Sequence, residues 1–157
     1  MSISLPILSR DEVMKVIPHK SSMALIDSIF SYRDKELEAG ATLSDLSPFF
    51  NGENTPGYVC FELIAQSISA YSFFKGYRNG ERPLMGFILK VSDFRISRPF
   101  LEKDAKVRIL VREDFELASD LYNFVGEVRE SGELVAEGKL MVMCAENLDM
   151  VQTGENA

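Results

Sequence analysis

The sequence predicts an α+β domain in which a curved antiparallel sheet of about six strands wraps around one long central helix. Two observations lead there. The stretch Thr55 to Gly80, TPGYVCFELIAQSISAYSFFKGYRNG, carries apolar residues on nearly every helical face (Val59, Cys60, Phe61, Leu63, Ile64, Ala65, Ile68, Ala70, Tyr71, Phe73, Phe74), so it must be enclosed by other elements. Most of the remaining chain alternates apolar and polar residues with period two, which is the pattern of strands with one wet face. A sheet curled around the helix satisfies both, and that architecture is the hot-dog fold.

The helix has its own start and stop signals. Thr55 is expected as the N-cap, Pro56 as the first helical residue, and Gly76 or Gly80 as the C-terminal stop. Its only acid, Glu62, lies one turn before Gln66 and about two turns before Ser69, giving one polar line on an apolar rod. A buried carboxylate is costly unless it is paired or used, which makes Glu62 the first candidate for chemistry.

Before the helix, Ser9 to Glu12 reads as a capping box that opens a short helix through Val13, Met14, Val16 and Ile17, ended by Pro18. Met23 to Tyr32 and Leu37 to Ser44 read as two strands of a hairpin, joined at Arg33-Asp34-Lys35-Glu36. Ser47 to Asn54 is an irregular link carrying Phe49 and Phe50. After the helix come Leu84 to Ser97, in which Gly86 marks a bulge or a close backbone approach, then a strand around Val107, Ile109 and Val111. Tyr122 to Val128 and Leu134 to Cys144 follow, turning tightly at Ser131-Gly132.

Composition narrows the function classes. With 157 residues, 46% of them hydrophobic, the chain is long enough for one core, and one domain over 1–145 with an acidic tail over 146–157 is expected. A formal charge of −7 argues against nucleic acid or an anionic membrane as the main partner. No apolar run of about eighteen residues and no signal-peptide pattern is present, which places the protein in the cytoplasm. Cys60 and Cys144 lack metal-ligand spacing and sit in apolar runs, so they read as buried thiols; with one histidine, no metal or other cofactor is expected.

Three motifs in this order resemble the beta-hydroxyacyl-[acyl-carrier-protein] dehydratases, over nearly the whole chain. They are Val16-Ile17-Pro18-His19-Lys20 followed by Met23-Ala24-Leu25-Ile26-Asp27, then Ser47-Pro48-Phe49-Phe50-Asn51-Gly52, then Pro56-Gly57-Tyr58-Val59-Cys60-Phe61-Glu62-Leu63-Ile64-Ala65-Gln66. One departure stands out: Glu53 occupies the place where the housekeeping enzymes carry the histidine that removes the alpha proton, and the following loop is shortened. The shortened loop and the retained Pro18-His19 are closer to the divergent dehydratases encoded with aryl polyene lipid pathways, often beside a partner dehydratase.

Dehydrating a 3-hydroxyacyl thioester needs a base for the C2 proton, an acid for the leaving hydroxyl and a donor to the thioester oxygen. The resemblance implies Glu62 as the acid, oriented by Gln66 and working across a dimer interface. It also implies Gly57 N–H at the helix N-terminus as the donor, and Pro18, with Phe50, beside the acyl chain. His19, Glu53 or a histidine of another protein could be the base. The blander readings are a structural His19, a solvated loop acid at Glu53, and core roles for Phe49, Phe50, Phe73 and Phe74. Three functions remain open at this point: a dehydratase acting on acyl-carrier-protein substrates, a hot-dog thioesterase, and a non-catalytic subunit of a heteromeric dehydratase. A homo-oligomer, a dimer or higher, is expected from the architecture, with Leu84 to Ser97 as the pairing edge and a second dehydratase subunit as the alternative neighbour.

Overall fold

The computed structural model describes residues 7–17, 23–78, 85–118 and 120–145. Pro18, His19, Leu84, Gly80 and the tail from 146 lie outside the described residues, so the expectations placed on them are not addressed by it.

The chain begins with α1 (Arg10–Val16), where Glu12 Oε1 accepts from the Ser9 hydroxyl at 2.9 Å. The helix stops as expected for a residue ahead of proline, with Ile17 extended at φ −115° and ψ 150°. β1 (Ser28–Arg33) and β2 (Glu36–Leu43) form the predicted hairpin. The first strand is shorter than the sequence suggests, because residues 23–27 are bonded elsewhere, with Ala24, Leu25 and Ile26 buried. Asp27 Oδ2 accepts from Thr42 N–H at 2.7 Å, and the N–H groups of Leu25 and Ile26 go to a side chain on the central helix. An apolar run thus satisfies its backbone without entering a ladder.

The link into the helix holds an unforeseen strand, β3 (Asn54–Pro56), so Thr55 and Pro56 are not the N-cap and first turn of the helix. They pair with β5 (Phe100–Glu102) in a separate two-stranded sheet, Thr55 opposite Leu101 and Pro56 opposite Phe100. The central helix, α2 (Val59–Arg78), begins three residues after Pro56, and Gly76 lies inside it. Local start signals at Thr55-Pro56 yielded to strand pairing with residues more than forty positions away.

The main sheet completes with β4 (Met85–Ile96), β6 (Ala105–Ala118), β7 (Leu121–Glu130) and β8 (Glu133–Ala145). Its order is β1-β2-β6-β7-β8-β4, and every neighbouring pair is antiparallel. The six strands and the enclosed helix are the predicted hot-dog architecture. The β7–β8 turn is the expected two-residue one, with both Ser131 and Gly132 at positive φ (50° and 82°).

α2 lies in the concave face of the sheet. Val59, Cys60, Leu63, Ile64, Ile68, Ala70 and Tyr71 are buried with Ile109, Val111, Phe124, Val128, Leu140 and Val142 from the strands. Close approach is made possible at Gly126, where a β-carbon would stand 2.4 Å from Ile64 Cγ2. The opposite glycine of the β7–β8 pair, Gly138, makes the same room for Phe94, which meets Phe61 of the helix edge-on at 5.8 Å. Towards the other end, Glu113 of β6 is buried and accepts from Tyr71 at 2.5 Å and from Lys75 at 3.1 Å, tying the second half of α2 to the sheet.

The helix is not covered all round within one chain. Phe61, Glu62, Ala65, Ser69 and Phe73, a stripe at three- to four-residue spacing, are only half-buried, and Tyr58 just before them is exposed. β4 forms the outer edge of the sheet and leaves Ile88, Leu89, Val91 and Ile96 exposed.

Candidate functional site

Glu62 sits in the first turn of α2 on the open stripe, half-buried. Gln66, one turn on, donates from Nε2 to Glu62 Oε1 at 3.0 Å. Gln66 is fully buried and saturated. Its Nε2 also donates to the Met23 carbonyl at 2.8 Å, and its Oε1 accepts from Leu25 N–H at 2.8 Å and Ile26 N–H at 3.3 Å. A glutamine with all four positions taken by protein is a brace: it fastens segment 23–26 to the helix and holds Glu62 on one side. Ser69, the expected third member of the polar line, turns back on the helix and donates to the Ala65 carbonyl.

Gly57 marks the approach to the helix N-terminus, but its amide hydrogen is spent within the protein, donating to the Pro99 carbonyl at 2.8 Å. The glycine is required for another reason: a β-carbon here would lie 2.1 Å from the Arg98 carbonyl oxygen and 2.8 Å from Ile96 Cγ2. The first turn of α2 tightens, with Cys60 N–H on Gly57 O and Phe61 N–H on Tyr58 O, each 3.1 Å. Among the described residues the N–H groups of Tyr58 and Val59 have no acceptor, so they are the donors the helix end presents.

Other expected residues lie apart. Glu53 is exposed on a turn knit by Asn51, whose Oδ1 accepts from Glu53 N–H at 3.0 Å and Asn54 N–H at 2.9 Å, with Gly52 at φ 98°. Phe50 is half-buried and its N–H bonds Ser47 O at 3.1 Å, while Phe49 packs on the core. Cys60 is wholly buried and burial pushes its thiol up to about 12, which removes it as a nucleophile beside Glu62. Among the described residues no cluster of three or more His, Cys, Asp or Glu could hold a metal ion, and no helix is long and apolar enough to cross a membrane.

The backbone anchors Met23, Leu25, Ile26 and Pro99 carry no chemical label in the sequence. Of them only Pro99 has an indirect sign, Gly57 opposite it, whose N–H is expected to serve a ligand and instead bonds the Pro99 carbonyl.

An acid in the first turn of an enclosed helix, braced by a glutamine one turn on, is an arrangement that can hold or deliver a proton at the mouth of the sheet. The chain aligns over 141 residues with the 3-hydroxyacyl-[acyl-carrier-protein] dehydratase FabZ of Pasteurella multocida at 28% identity, covering 86% of this chain and 90% of that one. Its fold superposes on the dehydratase heterocomplex ApeI:P from Xenorhabdus doucetiae with a TM-score of 0.80 at 24% identity, covering 95% and 97% of the two chains. A hypothetical thioesterase with coenzyme A from Streptococcus pneumoniae shares the fold at a TM-score of 0.61 and 15% identity, over 76% and 86%. Residues 11–153 match the ApeP dehydratase model, and the chain belongs to the ApeP-like dehydratase family.

Proposed function

We propose that the protein acts in the dehydration of 3-hydroxyacyl thioesters carried on acyl carrier protein, in fatty acid or aryl polyene lipid synthesis, as a cytoplasmic subunit paired with a second hot-dog subunit. The observation that carries this is Glu62: a carboxylate on the open stripe of α2, braced by Gln66, in a chain of a dehydratase family. In the reaction a base takes the C2 proton, the C2–C3 double bond forms, the C3–O bond breaks, and Glu62 protonates the departing hydroxyl to give water. Tyr58 and Val59 N–H, at the positive end of the helix, receive the thioester oxygen in this reading as enolate charge develops there. Phe50 and Pro18 border the acyl chain in this reading.

The base is His19, Glu53 or a histidine of the second subunit. Exposure of Glu53 on its own turn favours the other two. The half-buried stripe beside the unpaired edge of β4 supports a site finished by a neighbour, either another copy or, as in the ApeI:P heterocomplex, a different dehydratase. In the second case this chain is the accessory member, and turnover appears only when the partner is added.

The test is purified protein, alone and with a histidine-bearing dehydratase, given a 3-hydroxyacyl thioester on carrier protein and followed for both water loss and thioester hydrolysis. Water loss is expected. Glu62→Gln should lower it by roughly a hundredfold or more with little change in melting temperature, since the amide keeps the shape and lacks the transferable proton. Hydrolysis without dehydration would replace this reading by the thioesterase, and full activity of Glu62→Gln would move the acid elsewhere.

A further inference from the structure

We propose that the cleft between α1 and the loop after β2 binds a small amphipathic carboxylate, an anionic head on a short apolar chain, at a place apart from Glu62. Arg10 and Met14 line it from α1, one turn apart on the same side of that helix. Ala24 and Leu25, both buried, form its floor, and Ser44 and Ser47 line it from the loop. Its volume of about 380 Å³ falls within the roughly 300–1,000 Å³ of small-molecule sites.

The head group follows from what the polar side chains there still have to give. Ser44 Oγ accepts from Leu46 N–H at 3.3 Å and Ser47 Oγ from Phe49 N–H at 3.2 Å, so each serine keeps its hydroxyl hydrogen to donate. Arg10 is the one charged residue among the described residues of the lining, and among the described residues it has no ion pair or hydrogen bond. The carboxylates close by are already taken: Asp27 accepts from Thr42 N–H at 2.7 Å and from the Ser28 hydroxyl at 3.0 Å, and Asp45 pairs with Lys103 at 3.3 Å. Donors and one positive charge are the complement of an anion. A single guanidinium suits a carboxylate better than a phosphate monoester, whose charge is about −1.5 to −2.

Arg10 also stands where a helix least favours a cation. It is the first residue of α1, at the positive end of the helix dipole, and the two residues after it, Asp11 and Glu12, are the acids that suit that end. A charge that works against its own helix and meets no counter-ion in the chain is available to a ligand. For the tail, Met14, Ala24 and Leu25 supply an apolar bed, and Leu46, 82% exposed at the edge of the cleft, gains burial when a chain lies against it. The bed is tied to the central helix, since Leu25 N–H donates to Gln66 Oε1 at 2.8 Å, so the amide signal of Leu25 reports what lies upon it.

Titration of the full-length protein with octanoate at neutral pH, followed by calorimetry and amide NMR, tests this without reference to turnover, so the result is independent of the dehydration reading. Saturable binding is expected with a Kd of roughly 0.1–5 mM, and with shifts centred on Met14, Leu25, Ser44 and Ser47. Octanol and acetate, the tail and the head alone, should each bind about tenfold more weakly or worse, and octyl phosphate no more tightly than octanoate. Arg10→Gln should weaken octanoate by about tenfold or more and leave octanol unaffected. Its melting temperature should stay level or rise slightly, because a cation leaves the start of a helix. Shifts centred on Ala65 and Ser69 would place octanoate on the open stripe of α2 and overturn the inference. Equal binding of octanol, unchanged affinity in Arg10→Gln, tighter binding of octyl phosphate, or no saturable binding up to about 20 mM would overturn it as well.

Discussion

Thr55 is buried without any exposure, and its hydroxyl oxygen has no hydrogen-bond partner. An unpaired buried hydroxyl costs on the order of 1–3 kcal/mol. Thr55→Val keeps the shape and removes the cost, so it should raise stability by about 1–2 kcal/mol, or roughly 2–8 °C in melting temperature for a chain of this size. Thermal unfolding measures that, and a fall in melting temperature would show that the hydroxyl is used. The same residue shows where sequence reading reached its limit. Thr55 followed by Pro56 is a sound local helix start, and only distant pairing with Leu101 makes it a strand. The Glu62 and Gln66 pair was legible because a spacing of four residues fixes two side chains on one helical face whatever surrounds them. Gln66's other three bonds were not, since backbone groups 40 to 43 positions away leave no mark in composition.

Elements meet at two glycines whose replacement should have unequal effects. Gly126→Ala pushes a methyl group into the Ile64 side chain, which can shift partly at a cost of about 1–3 kcal/mol. Gly57→Ala drives the same group into the Arg98 carbonyl, and backbone held on both sides cannot yield. Ser97 N–H and hydroxyl are both bonded to Val135 O, and Pro99 O takes Gly57 N–H. Gly57→Ala should therefore destabilise more than Gly126→Ala in urea titration and also displace the start of α2, lowering turnover; equal effects would mean that the Ser97–Pro99 corner is softer than its hydrogen bonds indicate. The long strands were readable from period two, as β6, β7 and β8 bear out. β3 and β5, at three residues each, are too short for any periodicity to register.

On the scale of the molecule, the open stripe of α2 and the free edge of β4 define one surface that the single chain leaves uncovered. Exposed Leu89 and Val91 lie on that edge, 53% and 40% accessible, and charges there should prevent pairing. Leu89→Lys with Val91→Lys is expected to reduce the solution mass to that of one chain at micromolar concentration and to abolish turnover while far-UV circular dichroism is kept. A native chain that is already monomeric, yet active, would remove the need for a neighbour. The hot-dog architecture itself was visible from one enclosed helix and a period-two remainder. The incomplete cover on the helix was not, because an all-round apolar sequence does not say which side its own chain covers and which side another does.

The strand order has a consequence for how the molecule is made. β4 is synthesised directly after α2, yet its partner within the chain is β8, the last strand to emerge. Until then β4 has no neighbour in the sheet, whereas β6 and β7 can already extend the sheet from β2 over the helix. Pairing with β8 seats β4 in the sheet and, if the neighbour proposed above docks on β4, forms that edge in the same event. On that reading a chain ended at Gly132 should fail to join the full-length protein when the two are co-expressed, whereas one ended just after Ala145 should join it.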